Sequence, residues 1–181
     1  MYQKLKNCVN IIRKKTDFKP KTAIVLGSGL GGYAHKLRVE AEVSYREIEG
    51  FPVSTVAGHE GKFLFGYIKD RPVVMMQGRV HYYEGYDMID VVLPIRLMGM
   101  LGADTIFLTN AAGGINRDFT PGDLMLITDH IPSFVPSPLR GANIDELGTR
   151  FPDMSRVYDE ELCEKVRVEA KKQDILLREG V

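Results

Sequence analysis

Cysteine is scarce: Cys8 and Cys163 are the only two in 181 residues, and they lie far apart. No disulfide framework and no cysteine-based zinc site can be read from them, so a reducing compartment is the default expectation. Net charge is lacking too. Twenty-four Lys and Arg balance 24 Asp and Glu, so no bulk charge draws the chain to nucleic acid or to an anionic membrane. No apolar run approaches the ~20 residues of a membrane-spanning helix. The opening residues Met1 to Lys6 are charged and lead into no apolar stretch of the kind a secretory signal needs. A soluble, cytoplasmic protein is expected. His35, His59, His81 and His130 show no recognisable ligand spacing, so no metal is expected.

What is present is an ordinary globular balance, 44% hydrophobic and 27% charged. A chain of this length buries about 70% of the surface its unfolded form exposes. A single domain over residues 1–181 is expected. Glycine is the residue in excess, at 18 positions, and several cluster between apolar runs, where a backbone can approach a ligand closely.

The order of elements follows from periodicity. Tyr2, Leu5, Val9 and Ile12 predict an amphipathic helix over 1–15. Thr22–Leu26 and Thr105–Thr109 read as strands buried on both faces. A looser strand is expected within 39–48, a hairpin over 63–68 and 73–77, and a helix over 87–101 bent by Pro94. Leu124–Thr128, a long loop over 132–148, a helix over 159–172 and a strand starting at 175–177 complete the chain. Strands alternating with helices mean an α/β fold.

Four segments carry candidate chemistry. Gly27-Ser28-Gly29-Leu30-Gly31-Gly32 follows a buried strand, so its backbone and the Ser28 hydroxyl could cradle an anion. The same run fits the dinucleotide fingerprint G-x-G-x-x-G, with Glu47 or Glu49 at the expected distance. A ligand-free tight turn is the alternative. In Gly78 to Gly85, an extended backbone would turn Arg79, His81 and Tyr83 to one side. A guanidinium beside an imidazole suits phosphate or carboxylate; an Arg79–Glu84 pair with a structural histidine is the alternative. Thr109-Asn110-Ala111-Ala112-Gly113-Gly114 follows the second buried strand and carries no bulky group. His59, between Gly58 and Gly61, sits on a loop and is either a lid residue or an exposed histidine.

These phrases, together with Pro138-Leu139-Arg140-Gly141 and Arg150-Phe151-Pro152, resemble the trimeric purine nucleoside phosphorylases that favour inosine and guanosine. The resemblance runs from about Lys21 to Tyr158. It implies a mixed central β-sheet flanked by helices and cleavage of purine nucleosides by inorganic phosphate, with no cofactor. It implies that Ser28, Arg79, His81 and the N–H of Ala111 bind phosphate. His59 and His81 would be catalytic, and Tyr83, His59 and a neighbouring subunit's Phe151 would meet ribose. Gly113 would lie beside the base, and the assembly would be a homotrimer. Family members continue well past the point matching Val181, with further base and ribose ligands there. The chain is therefore expected to carry the phosphate half of a site and to lack the base half. Methylthioadenosine phosphorylase, a dinucleotide-binding protein and a non-catalytic phosphate-binding fragment are the competing readings.

Overall fold

The computed structural model describes residues 1–55 and 60–181. They divide into two compact units, one of residues 1–111 with 137–147 and one of residues 112–136 with 148–181.

The first unit is built on a five-stranded sheet. Its strands are β1 (Thr22–Leu26), β2 (Arg38–Ser44), β3 (Lys62–Ile68), β4 (Arg71–Gln77) and β5 (Thr105–Leu108), in the spatial order β2-β3-β4-β1-β5. β1 is parallel to both β4 and β5, whereas β2–β3 and β3–β4 are antiparallel. The sheet is therefore mixed, as expected, and the β3–β4 hairpin is present.

Alternation along the strands sorts side chains onto two faces. Ala23, Val25, Phe63, Phe65, Val74 and Met76 join one core. The residues between them, Leu26, Leu64, Val73 and Met75, join a second on the opposite face with Leu37. Two helices complete the first core. Helix α1 (Tyr2–Arg13) contributes Leu5, Cys8 and Ile12, one stripe at helical spacing. Helix α3 (Leu93–Met100) contributes Leu93, Leu97 and Met98.

The helix expected over 87–101 is divided at Val92 into α2 (Met88–Val91) and α3. Pro94 has no N–H to give to the carbonyl four residues back, and its ring crowds that carbonyl. A proline fits only in a helix's first turn, and Pro94 lies in the first turn of α3.

Close approach governs the β2–β3 pair. A Cβ on Gly66 would stand 2.1 Å from the Arg38 carbonyl oxygen. The ladder is irregular at the same place, with a register shift between Val39 and Ala41.

The strand at Thr105–Leu108 departs from expectation. It was expected to be buried on both faces, yet Ile106, Phe107 and Leu108 are 40%, 50% and 52% exposed. β5 ends the sheet order, so among the described residues only β1 pairs with it. Its sequence is that of a central strand; its position is that of an edge.

The second unit contains a parallel pair, β6 (Leu124–Ile127) and β7 (Leu177–Gly180), with helix α4 (Glu160–Lys172) before β7. Asp159 caps α4 by accepting a hydrogen bond from the Leu162 N–H. Arg178 reaches from β7 to the Asp123 carboxylate at 2.9 Å. His130 meets the Tyr158 hydroxyl at 3.0 Å through Nδ1, and its backbone N–H donates to the Asp129 carboxylate at 2.8 Å. Among the described residues no helix is long and apolar enough to cross a membrane, and no group of His, Cys, Asp or Glu is arranged to hold a metal.

Candidate anion site at three parallel strand ends

β4, β1 and β5 are neighbours and run the same way. Their carboxyl ends therefore open on one edge of the sheet, where ligands of open parallel sheets gather. Each end releases one of the segments singled out in the sequence. β1 leads into Gly27 and Ser28, β4 into Gly78 and Arg79, and β5 into Thr109, Asn110 and Ala111.

Thr109 ties the three together. Its hydroxyl donates to the Val25 carbonyl at 2.8 Å and accepts from the Gly27 N–H at 2.8 Å. Its N–H donates to the same Val25 carbonyl at 3.1 Å. Its carbonyl accepts from Arg79 Nη1 at 2.7 Å. Nothing in the sequence pattern marked Thr109 as more than the last residue of a strand. Gly27 permits this junction: a Cβ there would lie 2.5 Å from the Thr109 carbonyl oxygen and 2.8 Å from Asn110 Cα.

Beside the junction lies a cavity of about 280 Å³, walled by Ser28 and the glycines of its loop, with Glu60, Gln77 and Gly78. Ser28 is exposed to it, while Arg79 and Ala111 stand on the adjoining strand ends and do not line it. Gly78 is fixed from beneath by the buried Tyr45, whose hydroxyl donates to its carbonyl at 2.7 Å. Burial pushes the Tyr45 phenol well above its ordinary pKa, so the hydroxyl stays a donor.

The segment after Arg79 stays extended only as far as His81. It turns through a short 3-10 helix at Tyr82–Glu84, with His81 at its start. Simple alternation of Arg79, His81 and Tyr83 therefore does not hold. His81 and Tyr83 still meet, because the turn stacks their rings with centroids 4.8 Å apart and planes at 17°. The expected alternative of an Arg79–Glu84 pair does not hold either. Glu84 belongs to His81, accepting from its backbone N–H at 2.7 Å and from Nδ1–H at 2.9 Å.

The other Glu84 oxygen accepts from Ser54 Oγ, from the Thr55 N–H at 2.7 Å and from the Thr55 hydroxyl at 2.9 Å. Its side chain is only 2% exposed. Burial alone would raise the pKa. The bonds from Thr55 and His81 outweigh it and bring the carboxyl down to about 2. Glu84 is thus ionised at neutral pH, and it fixes the proton of His81 on Nδ1. Tyr86 adds a second clasp by donating to the Val53 carbonyl at 2.6 Å. Residues 53–55 are in this way bound to the turn that carries His81.

His59 lies outside the described residues. Gly113 and Phe151 belong to the second unit, where Phe151 is 84% exposed and the Arg150 guanidinium lies 5.8 Å from its ring centroid.

The geometry overturns the dinucleotide reading. The glycine loop leads into a short 3-10 helix at Gly31–Lys36, not into an α-helix. β2, which should lie parallel beside β1, is antiparallel to β3 at the far edge of the sheet. Glu47 caps the turn after β2, accepting from the Ser44 N–H at 2.9 Å, and pairs with Lys15. Both acidic candidates follow β2, so neither stands at the end of a parallel strand beside β1, as the fingerprint requires.

Comparison with known proteins agrees with this arrangement. The family described as "Phosphorylase superfamily" matches residues 21–181. Purine nucleoside phosphorylase 1 of Geobacillus stearothermophilus is 42% identical over 177 residues, which are 98% of this chain and 65% of that protein. Purine nucleoside phosphorylase 1 of Bacillus subtilis is 42% identical over 181 residues, all of this chain and 67% of that protein. Among solved structures, isoform 2 of the Schistosoma mansoni purine nucleoside phosphorylase, in complex with cytosine and ribose-1-phosphate, superposes with a TM-score of 0.91. The two are 39% identical, and the match covers 99% of this chain and 65% of that one. The chain thus spans about two thirds of the length of these relatives.

Proposed function

Because the chain belongs to the purine nucleoside phosphorylase family, we propose that it supplies the phosphate side of a site for phosphate-dependent cleavage of purine nucleosides. The products are the free base and (deoxy)ribose 1-phosphate, in a soluble cytoplasmic enzyme of purine salvage assembled as a homotrimer. The observation that carries this reading is the convergence of the Ser28, Arg79 and Ala111 segments at three adjacent parallel strand ends, clasped by Thr109.

Ser28, Arg79, His81 and the Ala111 N–H hold inorganic phosphate. Arg79 is a delocalised cation, already oriented by its bond to the Thr109 carbonyl. His81 meets phosphate through Nε2, because Nδ1–H is committed to Glu84. Tyr83 and His59 contact ribose, with Phe151 lent by a neighbouring subunit. Gly113 lies where the backbone passes the purine. His59 and His81 are the catalytic pair.

In the reaction a phosphate oxygen bonds to the anomeric carbon as the bond from that carbon to the purine nitrogen breaks. The electron pair leaves with the base, which takes up the proton that hydrogenphosphate gives up as it becomes the ribose 1-phosphate dianion. The sugar passes through a cation-like state, and a phosphate anion held beneath it stabilises that charge. Holding both reactants together removes much of the entropic barrier. Every step uses side chains and phosphate alone.

The test is inosine incubated with and without inorganic phosphate. Wherever the base is released, hypoxanthine and ribose 1-phosphate should form in equal amounts, and only with phosphate present. Base release that ignores phosphate would overturn the reading. Calorimetric titration of inorganic phosphate should show Arg79→Met weakening affinity by about 10- to 100-fold, the value of a charge-assisted hydrogen bond. Unchanged affinity would remove Arg79 from the phosphate site.

A further inference from the structure

The cavity beside Ser28 contains a charge of the wrong sign for an anion site. Glu60 is part of its wall. One of its carboxylate oxygens accepts from Gln77 Nε2 at 3.3 Å, and the other pairs with Lys62 Nζ at 2.7 Å. Lys62 does not cancel that charge, because it also serves Glu42 at 3.1 Å. Two carboxylates sharing one ammonium leave a net negative charge on the trio. Gln77 Nε2 reaches the Gly31 carbonyl as well, at 3.2 Å. Both partners of that amide are acceptors, so its NH₂ must face them. The amide thereby joins Glu60 to the glycine loop.

A bare carboxylate repels a fully deprotonated oxyanion, but it is a strong acceptor for one that carries a hydroxyl. Each Glu60 oxygen has lone pairs beyond the single bond described for it. Near neutral pH inorganic phosphate keeps at least one P–OH group. Sulfate has only acceptors. We propose that Glu60 is a specificity-determining residue of the anion site, accepting the hydroxyl of a proton-bearing oxyanion and so selecting hydrogenphosphate over sulfate. The proposal rests on the reading of Ser28, which walls this cavity, as part of the phosphate site. It adds repulsion against the wrong ligand to attraction for the right one, which is how selectivity between similar ligands is built.

Inorganic phosphate, arsenate and sulfate are titrated calorimetrically, at one pH and ionic strength, into the unmodified chain, Glu60→Gln and Glu60→Ala. Thermal melts check that each variant is folded. The unmodified chain should prefer phosphate and arsenate over sulfate by at least about tenfold. In E60Q the new NH₂ can donate to sulfate and the acceptor is weakened, so the preference should shrink by about 10- to 100-fold, chiefly through tighter sulfate binding. E60A removes the acceptor without adding a donor, so it should lose preference chiefly through weaker phosphate binding. It carries the comparison if E60Q does not fold. A preference that survives both substitutions, or an unmodified chain that binds sulfate as well as phosphate, overturns the role of Glu60. An unmodified chain that binds none of the three overturns the phosphate-site reading itself.

Discussion

Gly27→Ala is expected to destabilise the first unit by about 3–5 kcal/mol, with a fall in Tm on the order of 10 °C. The added Cβ would stand 2.5 Å from the Thr109 carbonyl oxygen, 2.8 Å from Asn110 Cα and 2.9 Å from the Thr109 carbonyl carbon. All three are backbone atoms, so no side chain can rotate out of the way. Relief requires the end of β1 or of β5 to move, although the two are paired up to Val25 and Leu108. Movement would break the Gly27–Thr109 and Thr109–Val25 bonds and displace the carbonyl that anchors Arg79. Each lost bond adds about 0.5–1.5 kcal/mol to the cost of the clash. Phosphate should then no longer raise the Tm. Gly32→Ala is the control, since nothing lies within 4 Å of a Cβ built there. If thermal melts give the two variants the same stability, the junction does not depend on close approach at Gly27.

Glu84→Gln should be nearly as costly, at about 3 kcal/mol at neutral pH, and should change the response to acid. The carboxylate accepts from donors on both sides, His81 on one and Ser54 with Thr55 on the other. A glutamine keeps one acceptor oxygen and turns an NH₂ toward the remaining donors, so one side is left unsatisfied in a buried place. The folded carboxyl titrates at about 2, below the ordinary value of 4.5. A depressed acid contributes its full stabilisation above the unfolded value. That stabilisation drains away as pH falls from about 4.5 through about 2. A shift of this size is worth about 3 kcal/mol, and the side chain's 2% exposure leaves little solvent to screen it. Urea melts between pH 2 and 7 should show this decline in the unmodified chain and a flatter profile in the variant. Equal slopes would mean that Glu84 is not the group that titrates.

Much of the site could be read from the residues, for definite reasons. Ala23 to Leu26 and Val73 to Met76 are continuous apolar runs, and such runs belong inside a sheet covered on both faces. Glycine immediately after such a run places a loop at a strand end. What escaped was set by residues distant in sequence. Glu84 lies five residues beyond Arg79 and invites an ion pair, but the chain turns at Tyr82 and the carboxylate swings to His81 and to Thr55, 29 positions away. Thr109 is one hydroxyl among many until its register with Val25 is known. The Thr105–Leu108 run shows the opposite failure. Hydrophobicity records what a strand would bury, but not what covers it, and Phe107 remains half exposed.

The clasp at Thr109 has a dynamic consequence. The amide protons of Gly27 and Thr109 both end on the Thr109–Val25 cluster, and the Arg79 side chain closes it from the β4 side. These groups share Thr109, so breaking one bond loosens the others, and they belong to one cooperative opening unit. Hydrogen exchange at the two amides should proceed with a common opening free energy. An anion gripping any one of the three loops should slow exchange at both, including at the loop it does not touch. Recognition at one strand end would then be felt as rigidity at its neighbours, with no change of shape.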